Sequence, residues 1–193
     1  DNVRIGGSQT IQVGVRRETF ARIAHKLEAL GDFRPDFVTD SAEILALDPE
    51  DNTAIAHANA LPTARLITIA DECPLPVIAA FRLLASKLNP RHPILLKDTF
   101  HPSTDPDRDF TTTLLESSTT LGSLLCDGIG DAILVQGEAA PGQSLRLAFN
   151  ILQAAGARIF KTDYVACPSC GRTLFDLQTT TARIKAATSH LKG

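Results

Sequence analysis

The chain has 193 residues, enough for one domain or for one domain and part of a second. Its 44% hydrophobic and 21% charged residues are ordinary for a globular protein that buries a sizeable core. A net charge of −3 gives no strong field for nucleic acid or an anionic membrane, no apolar run reaches the ~20 residues of a membrane span, and the polar start DNVRIGGSQT lacks the apolar centre of a signal peptide.

The first predicted element is an amphipathic helix over Glu18 to Leu30, with apolar residues at Phe20, Ile23, Ala24, Leu27 and Leu30 and a stop at Gly31. Phe37 and Val38 form a short extended piece, and Ser41 to Leu61 reads as mixed helix and loop. A regular alternation follows. Arg65 to Ala70, Pro93 to Lys97 and Ala132 to Val135 read as buried strands, and helices are predicted after each, at Val77 to Leu88, Asp107 to Leu125 and Ser144 to Ala155. Arg158 to Val165 is predicted as a fourth strand of this series. Short apolar strands alternating with amphipathic helices predict an α/β fold with parallel strands. Pattern alone leaves two architectures open, a partial or degenerate TIM-like barrel and an open doubly wound sheet.

Neither the first residue nor any other is methionine, which reads as a stretch of a longer chain. Of the four cysteines, Cys73 and Cys126 stand alone in apolar surroundings and are expected to be small core residues. Cys167 and Cys170 differ, because they sit in YVACPSCGRTLFD, between the fourth predicted strand and a helical stretch over Leu174 to Leu191. A tight Cys-Pro-Ser-Cys-Gly turn brings two thiolates to one side, where backbone N–H groups stabilise them. By spacing alone the pair fits half of a zinc site, a redox dithiol, part of an iron–sulfur site, or an unligated turn.

Two longer stretches narrow these options. TDYVACPSCGRTLFDLQ (162–178) and LGSLLCDGIGD (121–131), with SLRLAFNILQAAGARIF between them, resemble the 4-hydroxy-3-methylbut-2-en-1-yl diphosphate synthase family in its large-insert form. The likeness is convincing over about residues 93 to 193 and loose before that. It implies a TIM-barrel substrate domain outside this chain, a barrel-like insert domain, and a C-terminal domain holding a [4Fe–4S] cluster through three cysteines and one glutamate. Residues 1–163 would then be part of the insert and 164–193 the beginning of the iron–sulfur domain. Cys167 and Cys170 would be two cluster ligands, with the third cysteine and the glutamate beyond Gly193.

The family's reaction converts 2-C-methyl-D-erythritol 2,4-cyclodiphosphate reductively to the open-chain hydroxymethylbutenyl diphosphate. Ferredoxin or flavodoxin donates the electrons. The cluster iron that lacks a cysteine is open to a substrate oxygen. The resemblance also implies a protein of the bacterial cytoplasm or plastid stroma, with a homodimer as an option, and a fragment that is inactive alone. A rival reading is a standalone α/β module whose CPSCG turn holds structural zinc.

No other polar cluster suggestive of catalysis is evident in residues 1 to 156, so the insert is expected to act as a spacer. KDTFHPSTDPDRD (97–109) carries five acidic or histidine side chains, yet Thr104 or Asp105 before Pro106 reads as a helix N-cap. Asp127 and Asp131, around Gly128 and Gly130, read as a structural turn. Arg158 and Lys161 are open to a diphosphate role, with a solvated strand edge or interdomain contact the preferred reading. His25, His57 and His92 receive no role.

Overall fold

The computed structural model describes residues 4–40, 44–105, 107–165 and 174–191. The chain divides into two compact units, residues 1–158 and 159–193.

Among the described residues the first unit contains six parallel strands: β1 (Gln12–Arg16), β2 (Phe37–Thr39), β3 (Leu45–Leu47), β4 (Ile67–Ile69), β5 (Leu95–Lys97) and β6 (Ala132–Leu134). Their neighbours run β2-β1-β6-β5 in one sheet and β3-β4 in another. A single parallel bridge, Ile67 to Ile94, with the Ile67 N–H donating to Pro93 O at 2.9 Å, links β4 to β5. Read around, the order is that of the chain itself, with the first strand beside the last and a break between β2 and β3. Helices α1 (Arg17–Ile23), α3 (Asn52–Ala60), α4 (Val77–Lys87), α5 (Phe110–Cys126) and α6 (Pro141–Ala154) accompany the strands, and a one-turn α2 (Leu27–Leu30) precedes β2. The helices α4, α5, α6 and α1 touch in sequence, in the same order as the strands they cover.

Alternation along the strands sorts side chains into two faces. Val13, Val15, Ile67, Ile69, Leu96 and Ile133 are buried, with the helix residues Phe81, Leu84, Leu121, Leu124, Phe149 and Leu152 forming the rest of the core. The other face gathers Leu95, Ala132 and Leu134, closed over by Ile5, Phe37, Ile44 and Leu66. Gly14 belongs here because of Phe37, its partner across β1–β2: a Cβ on residue 14 would lie 2.6 Å from the Phe37 Cζ. At strand entry, Asp131 Oδ2 accepts from the Ile94 N–H at 2.9 Å and Asp131 O from the Gln12 N–H at 3.1 Å, which ties β5, β6 and β1 together.

Four expectations are corrected. The helix over Glu18 to Leu30 is interrupted: it tightens to a 3₁₀ turn at Ala24–Lys26 before resuming as α2, and Gly31 at φ 57° ends it. Residues 158 to 165 form no strand. Both edges of β6 are already occupied, by β5 and β1, so no edge is left for a strand following α6. Helix α5 starts later than Pro106, because the Asp109 carboxylate caps it by accepting from the N–H groups of Thr111 and Thr112. Cys73 is buried as expected, whereas Cys126, in the last turn of α5, is exposed.

Among the described residues the second unit has one helix, α7 (Leu177–Thr188), capped by Asp176 through the Thr179 N–H at 3.1 Å. Hydrogen bonding by Thr179 holds the Asp176 carboxyl below its usual range. Two contacts attach the preceding segment to the end of α7. The Thr162 hydroxyl donates to Leu191 O at 2.7 Å, and the Tyr164 and Thr188 hydroxyls lie 3.0 Å apart.

Candidate functional site

The predicted ligands Cys167 and Cys170 lie outside the described residues. Their flanks are described: Tyr164 is anchored on α7, and Val165, Leu174 and Phe175 are exposed apolar side chains on either side of them in sequence. Among the described residues, no group of three or more His, Cys, Asp or Glu side chains is placed to hold a metal ion.

The first unit assembles a polar cluster that the sequence pattern does not announce. It lies where the strands end. Arg16 closes β1, Lys97 closes β5, Asp71 follows β4 and Gln136 follows β6. Lys97 is buried, and its Nζ donates to Ile69 O at 2.6 Å and Asp71 Oδ1 at 2.5 Å. Burial pushes the Lys97 ammonium below its ordinary pKa, opposed by Asp71. Arg16 Nη2 donates to Gln136 Oε1 at 2.6 Å and lies 3.7 Å from Asp71 Oδ2.

The buried Asp98 carboxylate supports this cluster from outside. Asp98 accepts from the Ser117 hydroxyl at 2.7 Å and the N–H groups of Gln136 and Gly137 at 2.8 and 3.1 Å. Burial raises the Asp98 carboxyl above its usual pKa, and these donors offset part of that rise. The Gln136 side chain is oriented by donating Nε2 to Thr99 O at 2.5 Å. Arg16 thus reaches a fixed acceptor.

Two cavities open on the cluster. One, of about 80 Å³, lies among the strands, between Thr39, Thr68, Leu95 and Lys97. The other, of about 310 Å³, lies between β1, β6, α1 and α6. Arg16 lines both.

The remaining candidates are structural. Arg158 makes a two-pronged pair with Asp36, donates to Ile11 O at 3.0 Å and lies over the Phe149 ring, so it is not a solvated strand edge. Asp127 pairs with Arg82, joining α5 to α4. His92 is buried, and its Nδ1 accepts from the Arg65 N–H at 3.1 Å.

The fold and the strand-end cluster define a parallel α/β unit followed by a short cysteine-bearing segment. No protein-family model matches the chain. Over 191 residues, 99% of its length, the chain is 42% identical to the 4-hydroxy-3-methylbut-2-en-1-yl diphosphate synthase (flavodoxin) of Akkermansia muciniphila, and spans 32% of that protein. It is 58% identical over 80 residues to the same-named protein of Parabacteroides distasonis, covering 41% of this chain and 13% of that one. A relative from Prochlorococcus marinus, 4-hydroxy-3-methylbut-2-en-1-yl diphosphate synthase (ferredoxin), is 37% identical over 123 residues, covering 62% of this chain and 29% of the relative. The chain is a homologue of one segment of the 4-hydroxy-3-methylbut-2-en-1-yl diphosphate synthases, spanning about a third of the length of the Akkermansia protein. No helix among the described residues is long and apolar enough to cross a membrane.

Proposed function

We propose that the chain serves as part of an iron–sulfur oxidoreductase of isoprenoid-precursor synthesis, which reductively opens 2-C-methyl-D-erythritol 2,4-cyclodiphosphate. The carrying observation is homology over 191 residues, a span that includes the Cys167-Pro-Ser-Cys170 turn. Flavodoxin or ferredoxin is the electron donor, in keeping with the names of the relatives.

Residues 1–163 belong to a barrel-like insert domain in this reading, and 164–193 begin an iron–sulfur domain. Three features support the barrel. The strand order follows the chain, the first and last strands pair, and the covering helices repeat that order. An open doubly wound sheet needs strand order to reverse so that crossover helices reach both faces, and no such reversal occurs here.

Cys167 and Cys170 would hold two corners of a [4Fe–4S] cluster. The donor chemistry fits, since thiolates are the ordinary ligands of such clusters, and further ligands complete the set. When bound, the cluster would pass electrons from the donor to the substrate. The chain's own part is to hold it, and the Tyr164–Thr188 contact steadies the segment leading into the turn.

The test is anaerobic reconstitution of the full-length protein, with its Cys167→Ser and Cys170→Ser variants. The expected outcome is cluster absorption, with iron and sulfide bound, in the parent, and loss of both in each variant at unchanged circular dichroism. Bound zinc without sulfide, or a full iron–sulfide complement in both variants, would overturn the reading.

A further inference from the structure

At the strand ends of the first unit, two cations share one carboxylate. Lys97 occupies the near oxygen of Asp71 at 2.5 Å, while Arg16 reaches the other at only 3.7 Å. Asp71, with Glu72 acting on Lys97 at longer range, offsets these charges, but Asp71 lies too far from Arg16 to occupy its donors. The other close partner of Arg16 is a neutral amide, Gln136 Oε1. The remaining guanidinium N–H groups of Arg16 have no protein partner among the described residues.

This cation is held in place. Gln136 is fixed through its side chain on Thr99 O and through its backbone on Asp98. The Arg16 side chain is 27% exposed and lines both cavities, so its open donors are largely withdrawn from bulk water yet accessible to a ligand. A guanidinium fork in that setting matches the paired oxygens of a carboxylate or phosphate.

The larger cavity is lined by two arginines, Arg16 and Arg22, and two acids, Glu18 and Glu138. Glu18 stands on the exposed rim beside Arg22, one turn along the same helix. Glu138 Oε1 is engaged by the Ala140 N–H at 2.9 Å. The hydroxyls of Ser103 and Thr104 line the same wall and add donors suited to an anion. At about 310 Å³ the cavity is at the small end of ligand sites, which run from roughly 300 Å³.

The geometry points to a binding site in the larger cavity for a small oxyanion, the carboxylate or phosphate group of a compact metabolite, anchored on the open guanidinium donors of Arg16. Nothing in this site depends on Cys167 or Cys170, so it stands or falls separately from the iron–sulfur reading.

The full-length protein is titrated at low salt with inorganic phosphate and, separately, with succinate, following the arginine Nε–H signals by NMR. One signal, absent from the Arg16→Gln variant, should shift saturably with at least one probe, and the responding probe identifies the oxyanion. Arg16→Gln should weaken binding at least tenfold. Arg16→Lys, which keeps the charge and loses the fork, should weaken it by a smaller factor and serves if the first variant fails to fold. Absence of a saturable shift up to roughly 10 mM of either probe, or undiminished affinity in the variants, overturns the proposal.

Discussion

Arg158 and Asp36, 122 residues apart in sequence, meet in a two-pronged ion pair, Nη1 to Oδ2 at 2.5 Å and Nη2 to Oδ1 at 3.0 Å. Asp36 Oδ2 also accepts from the Val13 N–H at 2.7 Å, so the pair joins the exit of α6 to the β1–β2 junction. Both side chains are only 20% exposed. Arg158→Ala is therefore expected to cost about 2–3 kcal/mol in urea unfolding, because it leaves Asp36 without its counter-charge and uncovers the Phe149 ring. Arg158→Lys should recover only part of that loss, since a single ammonium cannot reproduce the fork.

Lys97 and Asp71 should respond unequally to truncation. Removing Asp71 leaves a buried ammonium without its carboxylate, so Asp71→Ala should lose about 2 kcal/mol, whereas Lys97→Met should stay within about 1 kcal/mol of the parent. The sign of the pH effect follows from the lowered pKa of Lys97. Between that value and the ordinary 10.5, the unfolded chain binds the proton more tightly, so this lysine's contribution to stability rises with pH. The stability difference between the parent and Lys97→Met, measured through the alkaline range, should shift in the parent's favour.

For Asp98 the sign is reversed. Its carboxyl is raised above the ordinary 3.8, so between 3.8 and the raised value the folded chain binds the proton more tightly. Stability from this group falls as pH rises through that window, and Asp98→Asn should lack the slope. Asp98→Ala should cost about 3 kcal/mol at neutral pH, because it strips the acceptor from the N–H groups of Gln136 and Gly137.

Gly130 and Gly128 distinguish a steric requirement from a conformational one. Gly130 has φ 111°, and a Cβ there would lie 2.5 Å from Leu96 Cδ1, while Gly128 has φ 75° with open space around it. Gly128→Ala should cost about 1 kcal/mol and Gly130→Ala at least about twice that in the same chemical denaturation series.

The cap of α5 is tested by comparing two aspartates. Asp109→Ala should lower the thermal midpoint more than Asp105→Ala, because Asp105 serves only a local turn through the Asp107 N–H. Hydrogen bonds from Thr112 and Thr111 depress the Asp109 carboxyl. Its contribution is accordingly present above 3.8 and lost as pH falls through the depressed value, so the two variants should converge in acid.

The strands β4, β5 and β6 were legible because each is a continuous apolar run, buried on both faces. β1 was missed because its sequence, Gln-Val-Gly-Val-Arg, places a glycine and a charge on the inner face. β3 is three residues long and carries only Leu-Ala-Leu. The strand-end cluster was illegible for a different reason: Arg16, Asp71, Lys97 and Gln136 each follow or close a different strand, and only the register brings them together. One signal was available. Lys97 ends the apolar run Ile94-Leu95-Leu96, in phase with the inward-facing Leu95.

The pairing of β1 with β6 has a consequence for synthesis. Val13 meets Ile133, so the amino-terminal strand lacks one of its two neighbours until nearly the whole first unit has left the ribosome. Contacts of such long range slow folding and leave an apolar edge uncovered in the nascent chain, which makes the early polypeptide a natural client for chaperones.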